Sequence, residues 1–142
     1  MLMKKLSQSA PLLLFLFLTA CGTTSAEMRA APGESGSFQV DLPYVTVLKN
    51  FSRCADQGAG GYGYSYFYWM VKENAAENSA TIDFLQDGIA RRVLTSVDIA
   101  ADGKNTKVTY YKHHMFAVFK SIRQDIEDQA RGVYKCGDKE PG

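Results

Sequence analysis

Apolar residues recur at helical spacing in two segments of the chain, one before and one after a longer region of alternating positions. In the first segment they stand three or four residues apart: Tyr44, Val47, Leu48, Phe51, and Cys54 or Ala55. We predict an amphipathic helix here, with Asp41 as its N-cap and Pro43 in its first turn. The second segment has the same spacing from Met115 to Ala130, and Gly132 is expected to end that helix.

Between these helices, apolar and polar residues alternate with the period of a β-strand. The predicted strands are Tyr64–Val71, Ala80–Phe84, Arg92–Ile99 and Thr106–Lys112. Short turn signals separate them, which favours an antiparallel meander. Phe38 to Val40 is expected to be a short extended segment before the first helix. The predicted fold class is therefore α+β, a four-stranded antiparallel meander sheet with two helices packed on one face, in the order α-β-β-β-β-α.

The first twenty-one residues have the pattern of a secretory signal. Lys4 and Lys5 precede an apolar run, Pro11 to Leu18, which is too short to span a bilayer comfortably. Leu18-Thr19-Ala20-Cys21 follows at once and resembles the lipobox of bacterial lipoproteins. The resemblance implies that residues 1–20 are a signal peptide, cut just before Cys21, and that the Cys21 thiol is acylated. A chance cysteine in an ordinary signal peptide is the alternative.

The residues after Cys21 predict a destination and a spacer. Gly22 stands where an aspartate would, in many Gram-negative lipoproteins, favour the inner membrane, so the resemblance implies the periplasmic side of the outer membrane. Residues 22–37 are small and polar and predict a flexible tether with a span on the order of 20–25 Å. We expect a lipidated N-terminus and tether over 21–37, a single domain over 38–137 and a disordered tail over 138–142.

Two cysteines remain once Cys21 is acylated. Cys54 stands in the last turn of the first predicted helix, which should end near Gln57-Gly58, and Cys136 stands just beyond the second, in a compartment that permits disulfides. A bridge between them would close a long loop and stabilise the fold by ~4 kcal/mol in the chain-entropy model. A redox pair or a metal site remains open as an alternative, although there is no Cys-x-x-Cys spacing.

Charge and motifs exclude several function classes. Residues 1–20 hold two basic residues and no acidic one, so the formal charge of +1 for the whole chain becomes −1 after cleavage, too weak a field for nucleic acid. His113 and His114 point to opposite faces of a strand and make a poor metal chelate. No serine has a G-x-S-x-G context. We expect no catalytic residues, no metal and no cofactor.

A run of tyrosines beside a glycine-rich loop is the candidate binding surface. Phe67, Trp69 and Val71 would share one face of the first strand, so the tyrosines would share the other. The candidate binding residues are Tyr62, Tyr64, Tyr66 and Tyr68, next to the loop from Gly58 to Gly63. This surface suits glycan stacking or peptide recognition, although tyrosine also fills half-exposed strand faces without binding anything.

Two segments carry a further resemblance: Phe38 to Cys54 and Met115 to Cys136. They are similar to small proteobacterial envelope lipoproteins of unknown function. The element order also resembles the helix-grip modules of lipoproteins that assist outer-membrane β-barrel assembly. The resemblance implies a non-catalytic, lipid-anchored accessory or binding module of the cell envelope, with an envelope protein or peptidoglycan as partner. The alternative is a carrier of a small apolar ligand, such as a lipid, in a groove between sheet and helices.

Overall fold

The computed structural model describes residues 23–56, 60–62, 65–88, 90–113 and 122–133. These residues form one antiparallel sheet of six strands, in the order β1-β6-β5-β4-β3-β2, with helices on both faces. The strands are β1 Glu34–Val40, β2 Gly60–Tyr62, β3 Ser65–Asn74, β4 Ser79–Asp87, β5 Arg92–Asp102 and β6 Asn105–Lys112. The helices are α1 Ser25–Ala30, α2 Tyr44–Asp56 and α3 Ile122–Ala130.

The α+β class and the antiparallel meander from β3 to β6 are confirmed. The predicted number of elements was wrong, because two strands and one helix are added to the four strands and two helices expected. The short β2 pairs with the start of β3, and β1 pairs along its whole length with β6. Strand β1 begins at Glu34, four residues before the extended segment predicted from Phe38 to Val40. Its Gly36 lies where a Cβ atom would come within 2.7 Å of the Tyr110 hydroxyl, so a residue without a side chain is required.

The structure also differs from the predicted tether. Within it, residues 25–30 form α1 and residues 34–37 belong to β1. A capping box starts α1: the Thr24 hydroxyl accepts the Glu27 backbone N–H, and a Glu27 carboxylate oxygen accepts the Thr24 N–H. Met28 of this helix is 1% exposed. The ordered body of the protein therefore includes Thr23, fifteen residues before the predicted domain start at Phe38.

Helices α2 and α3 cover one face of the sheet with an apolar core. Val47 and Phe51 of α2 are fully buried, and they pack in one cluster with Ile126 of α3. The sheet contributes buried residues from four strands: Val40, Ala80, Ile82, Val97, Ile99, Val108 and Tyr110. At the side of this core the Trp69 and Phe84 rings lie 4.7 Å apart between centroids. Fully burying a side chain such as Phe51 stabilises the fold by about 1.5–3 kcal/mol.

A glycine, Gly132, terminates α3. Gly132 has a φ of +74°, and its N–H donates to the Gln129 carbonyl while the Val133 N–H donates to the Asp128 carbonyl. This is the Schellman arrangement, which satisfies carbonyls that the helix itself leaves unpaired. The prediction that Gly132 ends the helix is confirmed. The first part of that predicted helix, residues 115–121, lies outside the described residues.

Candidate functional site

The face of the sheet opposite α2 and α3 carries a buried carboxylate, Asp83 of β4. Asp83 is 0% exposed. Its Oδ2 accepts the Ser25 hydroxyl at 2.7 Å and the Lys72 ammonium at 3.2 Å, and its Oδ1 accepts the Ser96 hydroxyl at 2.6 Å. Three donors therefore compensate a buried negative charge, as such a charge requires. One of the three comes from α1, so the carboxylate links that helix to the sheet.

A second group of contacts links α1 to β5. The Arg29 guanidinium donates through Nε and Nη2 to the two carboxylate oxygens of Asp98, at 3.1 and 2.6 Å. The same Nη2 lies 3.0 Å from the Ser96 hydroxyl, which joins this pair to Asp83. Thr81 donates to Asp98, and the guanidinium lies 5.4 Å from the centre of the Tyr111 ring. A bidentate arginine–carboxylate pair is among the stronger polar contacts and sets orientation as well as distance. We call Ser25, Arg29, Asp83, Ser96 and Asp98 the clasp.

An apolar contact and a strand-like contact complete the attachment of α1. Met28 packs against Leu85 and Val93, with Tyr68, Met70 and Tyr111 around them. The Thr23 carbonyl accepts the Val93 N–H at 2.9 Å. The β5–β6 register ends at Thr95 and Lys112, and one further backbone bond joins the His113 N–H to the Leu94 carbonyl, so Thr23 lies alongside β5 just beyond the end of β6. The Thr23 hydroxyl also lies 3.2 Å from His113 Nε2.

Hydrogen bonds stabilise the charged forms of two α1 side chains, Arg29 and Glu27. Hydrogen bonding to Asp98 raises the pKa of the Arg29 guanidinium above its ordinary value. Hydrogen bonds from the Thr24 backbone and hydroxyl lower the pKa of the Glu27 carboxyl, because they favour its ionised form. Both shifts keep the native charge of the group over a wider pH range.

The clasp is arranged to attach α1 to the sheet and not to act on a substrate. Ser96 donates to a carboxylate, as a nucleophilic serine can, but it is 0% exposed and lies beneath Arg29. A catalytic group must lie within hydrogen-bond reach of substrate. A substrate has no access to Ser96 while α1 is docked. What these residues do, on the geometry described, is hold the segment just after Cys21 against the sheet.

The predicted binding tyrosines are only partly within the described residues. The described face assignment is as predicted: Trp69 and Val71 pack towards α2, and Tyr68 lies on the opposite face with α1. Tyr68 is half-buried, and its hydroxyl lies 3.4 Å from Asp87 Oδ2. Tyr62 and Tyr66 are described in their backbone alone. Tyr62, the last residue of β2, pairs with Ser65, and Tyr66, near the start of β3, pairs with Asp87. Tyr64 lies outside the described residues.

The cysteines predicted to be acylated or to form a disulfide lie largely outside the described residues. Cys21 and Cys136 are not among the described residues, and Cys54 is described in its backbone as part of α2. The structure does show where the two helices meet. The Asn50 amide Nδ2 donates to the Ala130 carbonyl at 2.9 Å, one turn before Cys54 in one helix and at the last residue of the other.

The described ranges hold neither a metal-binding cluster nor a membrane-spanning helix. Across 23–133, with its gaps, no group of three His, Cys, Asp or Glu side chains is arranged to hold a metal ion. Within the same ranges, no helix has the length and apolar character needed to cross a bilayer. Neither finding bears on Cys21 or on residues 1–20, which lie outside these ranges.

Sequence reasoning missed the clasp, although one signal for it was present. Thr24-x-x-Glu27 matches the capping box and could have indicated a helix in the segment interpreted as a tether. The partners of Ser25 and Arg29 stand 58 to 69 residues away along the chain, so no local pattern could have identified them. Asp83 and Asp98 occupy alternate strand positions that read as solvent-facing from sequence alone.

No protein-family model matches this chain, and no curated protein matches it either.

Proposed function

We propose that this protein is a lipid-anchored, non-catalytic accessory or binding module of the bacterial cell envelope, held on the periplasmic side of the outer membrane. The signal-like residues 1–20 and the lipobox-like Leu18-Thr19-Ala20-Cys21 support export and acylation. The observation that carries the proposal is the clasp, because its buried polar contacts serve to hold the residues next to Cys21.

The sheet, with α2 and α3 packed on its apolar face, supports a helix-grip-like fold as part of the same proposal. Strands β1 and β2, which precede and follow α2 along the chain, are the two edge strands of the sheet, and α3 follows the last strand, β6. Both helices share the core of one sheet face. Fold likeness does not carry function with it, so this assignment supports an envelope module only together with the lipobox.

A disulfide between Cys54 and Cys136 is the second part of the proposal. Asn50 contacts the end of α3, and Cys54 follows Asn50 by one helical turn, about 6 Å. Cys136 stands six positions after Ala130, and a segment of that length reaches up to about 20 Å. The two cysteines are therefore within reach of each other. Bridging them requires a two-electron oxidation, which a dithiol–disulfide oxidant of the envelope would supply.

Acylation is tested by producing the full chain in a Gram-negative host with labelled palmitate. We expect the wild-type protein to incorporate label and to sediment with the outer membrane. Cys21→Ser should abolish both, while Cys54→Ser, the matched control, should change neither. Label-free wild-type protein in the soluble fraction would contradict the proposal. Intact mass measured before and after reduction should differ by two hydrogen atoms, about 2 Da, and a fully reduced native protein would contradict the disulfide.

The binding role is tested in the same cells. Crosslinking in the intact envelope, followed by identification of the partner, should capture an envelope component with the wild-type protein. Tyr62→Ser with Tyr66→Ser should weaken that capture, whereas Lys104→Ser, at the other end of the sheet, should not. Native mass spectrometry of the purified protein tests the carrier alternative. A stoichiometric co-purified lipid, in addition to the acyl anchor, would favour the carrier over the binding module.

A further inference from the structure

We infer that the clasp holds the protein in one orientation on its membrane, with one end of the sheet against the phospholipid headgroups. This inference rests on the proposed acylation of Cys21. We define the anchor end by Thr23, Arg91, Val93 and His113, where β5 begins and β6 ends. We define the far end by Gly103 and Lys104, in the turn between β5 and β6.

The first step is the distance between the anchor and the ordered body. Only Gly22 separates Cys21 from Thr23, and two residues of chain span at most about 7 Å. Thr23 is bonded to β5 through its carbonyl and contacts His113 through its hydroxyl. The acylated residue is therefore restricted to a short radius around the start of β5. The predicted tether, with a span on the order of 20–25 Å, would have left the body free to turn.

The second step is the rigidity of that attachment. A single surface ion pair would contribute less than about 1 kcal/mol and would not hold a helix in place. Here Met28 is 1% exposed, Asp83 is 0% exposed, and Arg29 binds Asp98 with two nitrogens. Releasing α1 would expose an apolar side chain and leave a desolvated carboxylate with fewer donors. The contacts therefore act together in keeping α1 docked.

The third step is the geometry of the sheet relative to the bilayer. From Val93 to Asp102, β5 runs nine residues away from the anchor, about 30 Å along the strand. The β4–β5 connection around Arg91 lies beside the anchor, and the turn at Gly103 and Lys104 lies at the other end. Acyl chains buried in the bilayer hold Cys21 at its surface. The anchor end must then face the headgroups, and the far end must point into the periplasm.

The orientation also restricts what the module can bind. Tyr62 pairs with Ser65, and Tyr66 pairs with Asp87, so the β2–β3 hairpin begins at the anchor end. The backbone of the candidate binding strand therefore starts close to the bilayer. The partner class that fits is a component at or in the membrane surface. Distant peptidoglycan fits less well, because the two-residue connection does not allow the anchor end to leave the membrane.

The inference is tested by photocrosslinking to lipid. The full chain, acylated in cells, is reconstituted in vesicles of phosphatidylethanolamine and phosphatidylglycerol that contain a radiolabelled phospholipid. A benzophenone amino acid replaces either Arg91, at the anchor end, or Lys104, at the far end; both side chains are exposed, so neither change disturbs the core. We expect at least a fivefold higher yield of lipid adduct at position 91. Equal yields, or a higher yield at 104, would overturn the inference.

A linker variant separates this inference from the proposal on which it rests. Twenty Gly and Ser residues inserted between Gly22 and Thr23 give a connection with a root-mean-square span of about 25 Å. The variant should remain in the membrane fraction, but its two crosslinking yields should become similar. A preserved fivefold difference would show that the clasp does not set the orientation. If wild-type protein sediments with membranes yet labels both positions equally, the orientation is wrong and the acylation stands. If it does not sediment, the proposed function itself is wrong.

Discussion

The two faces of the sheet are built in different ways. Under α2 and α3, burial of large apolar side chains such as Phe51 and Ile82 dominates. Under α1, a six-residue helix is held chiefly by Asp83, Arg29 and Asp98, with Met28 as its one fully buried apolar contact. A helix this short cannot bury enough apolar area to stay in place, so directional polar contacts take over. The first face maintains the fold, and the second positions the N-terminus.

The comparison predicts that damage to the two faces has different consequences. Changes in the apolar face should lower the global free energy of unfolding, because every element of the cluster depends on it. Changes in the clasp should lower it less and should first release α1, leaving the sheet intact. The predictions below run from the largest expected effect to the smallest.

Phe51→Ala should be the most damaging single change. The side chain is 0% exposed in the centre of the apolar face, and removing a buried phenyl ring leaves a cavity that costs about 3–5 kcal/mol. Urea unfolding, followed by circular dichroism, measures the loss. Val45→Ala is the control on the same helix, since Val45 is 71% exposed, and it should cost under about 0.5 kcal/mol. Equal losses for the two variants would contradict the proposed core.

Asp83→Ala should destabilise the protein by about 2–3 kcal/mol, because it leaves the buried Ser96 hydroxyl without its acceptor and removes charge-assisted hydrogen bonds. Amides of α1 should exchange with solvent much faster, while those of β6 should change little. Asp87→Ala is the matched control on the same strand. Asp87 is more exposed and pairs with Arg91, so its loss should cost under about 1 kcal/mol. A uniform increase in exchange across the sheet would contradict a local clasp.

Asn50→Ala should cost about 1 kcal/mol. It removes the hydrogen bond to the Ala130 carbonyl and the side chain that lies against Gly132. Thermal unfolding of reduced and oxidised protein measures the effect. The neighbouring exposed residue supplies the control, Lys49→Ala, which should have almost no effect. If the proposed disulfide holds the same two helices together, the loss should be larger in the reduced protein.

The pH dependence of stability should distinguish the two faces. Burial, with a contribution from Glu73, raises the pKa of Tyr44 to about 12 from its ordinary value of 10.0. The unfolded chain then loses this proton first, so stability should fall as pH rises from about 10 to 12. Tyr44→Phe should flatten that decline, measured by melting temperature. An unchanged decline would contradict the burial of the Tyr44 hydroxyl.

The acidic side of the same pH profile reports on α1. The pKa of Glu27 is lowered by its hydrogen bonds to Thr24, so its contribution is present above the ordinary value of 4.5 and is lost as pH falls below it. Glu27→Gln should make the exchange rates of α1 amides less sensitive to pH between about 5 and 3. The effect is the smallest expected here, since the carboxyl is exposed to solvent. No change in this dependence would contradict the capping box.

The sequence predicted the apolar face well and the polar face poorly. Helix α2 and strands β3 to β6 could be predicted because Val47 and Phe51 repeat every four residues, and Val97 and Ile99 every two. Strand β1 was seen only at Phe38 and Val40, since Ser35, Gly36 and Ser37 gave no apolar alternation. Its pairing with β6 depends on residues 66 to 78 positions apart, such as Phe38 and Val108, which are 70 apart.

The clasp could not be predicted for a related reason. Asp83 and Asp98 are polar residues at alternate strand positions, which normally indicates a solvated face. They are buried here because α1, from a different part of the chain, lies over them. Composition favoured a tether over residues 22–37, because Ser, Ala and Gly are common in spacers. What that interpretation overlooked is that small residues also permit close docking of a short helix against a sheet.

Hydrogen exchange at the Val93 amide tests the central claim most directly. This N–H donates to the Thr23 carbonyl, just beyond the pairing of β5 with β6, so it is protected from solvent only while the residues next to Cys21 stay docked. We predict that, in the wild-type protein near neutral pH, the Val93 amide exchanges at least roughly a hundredfold more slowly than an amide of an unstructured peptide. Exchange at the rate of an unstructured peptide would show that these residues are a free tether, and would contradict the account.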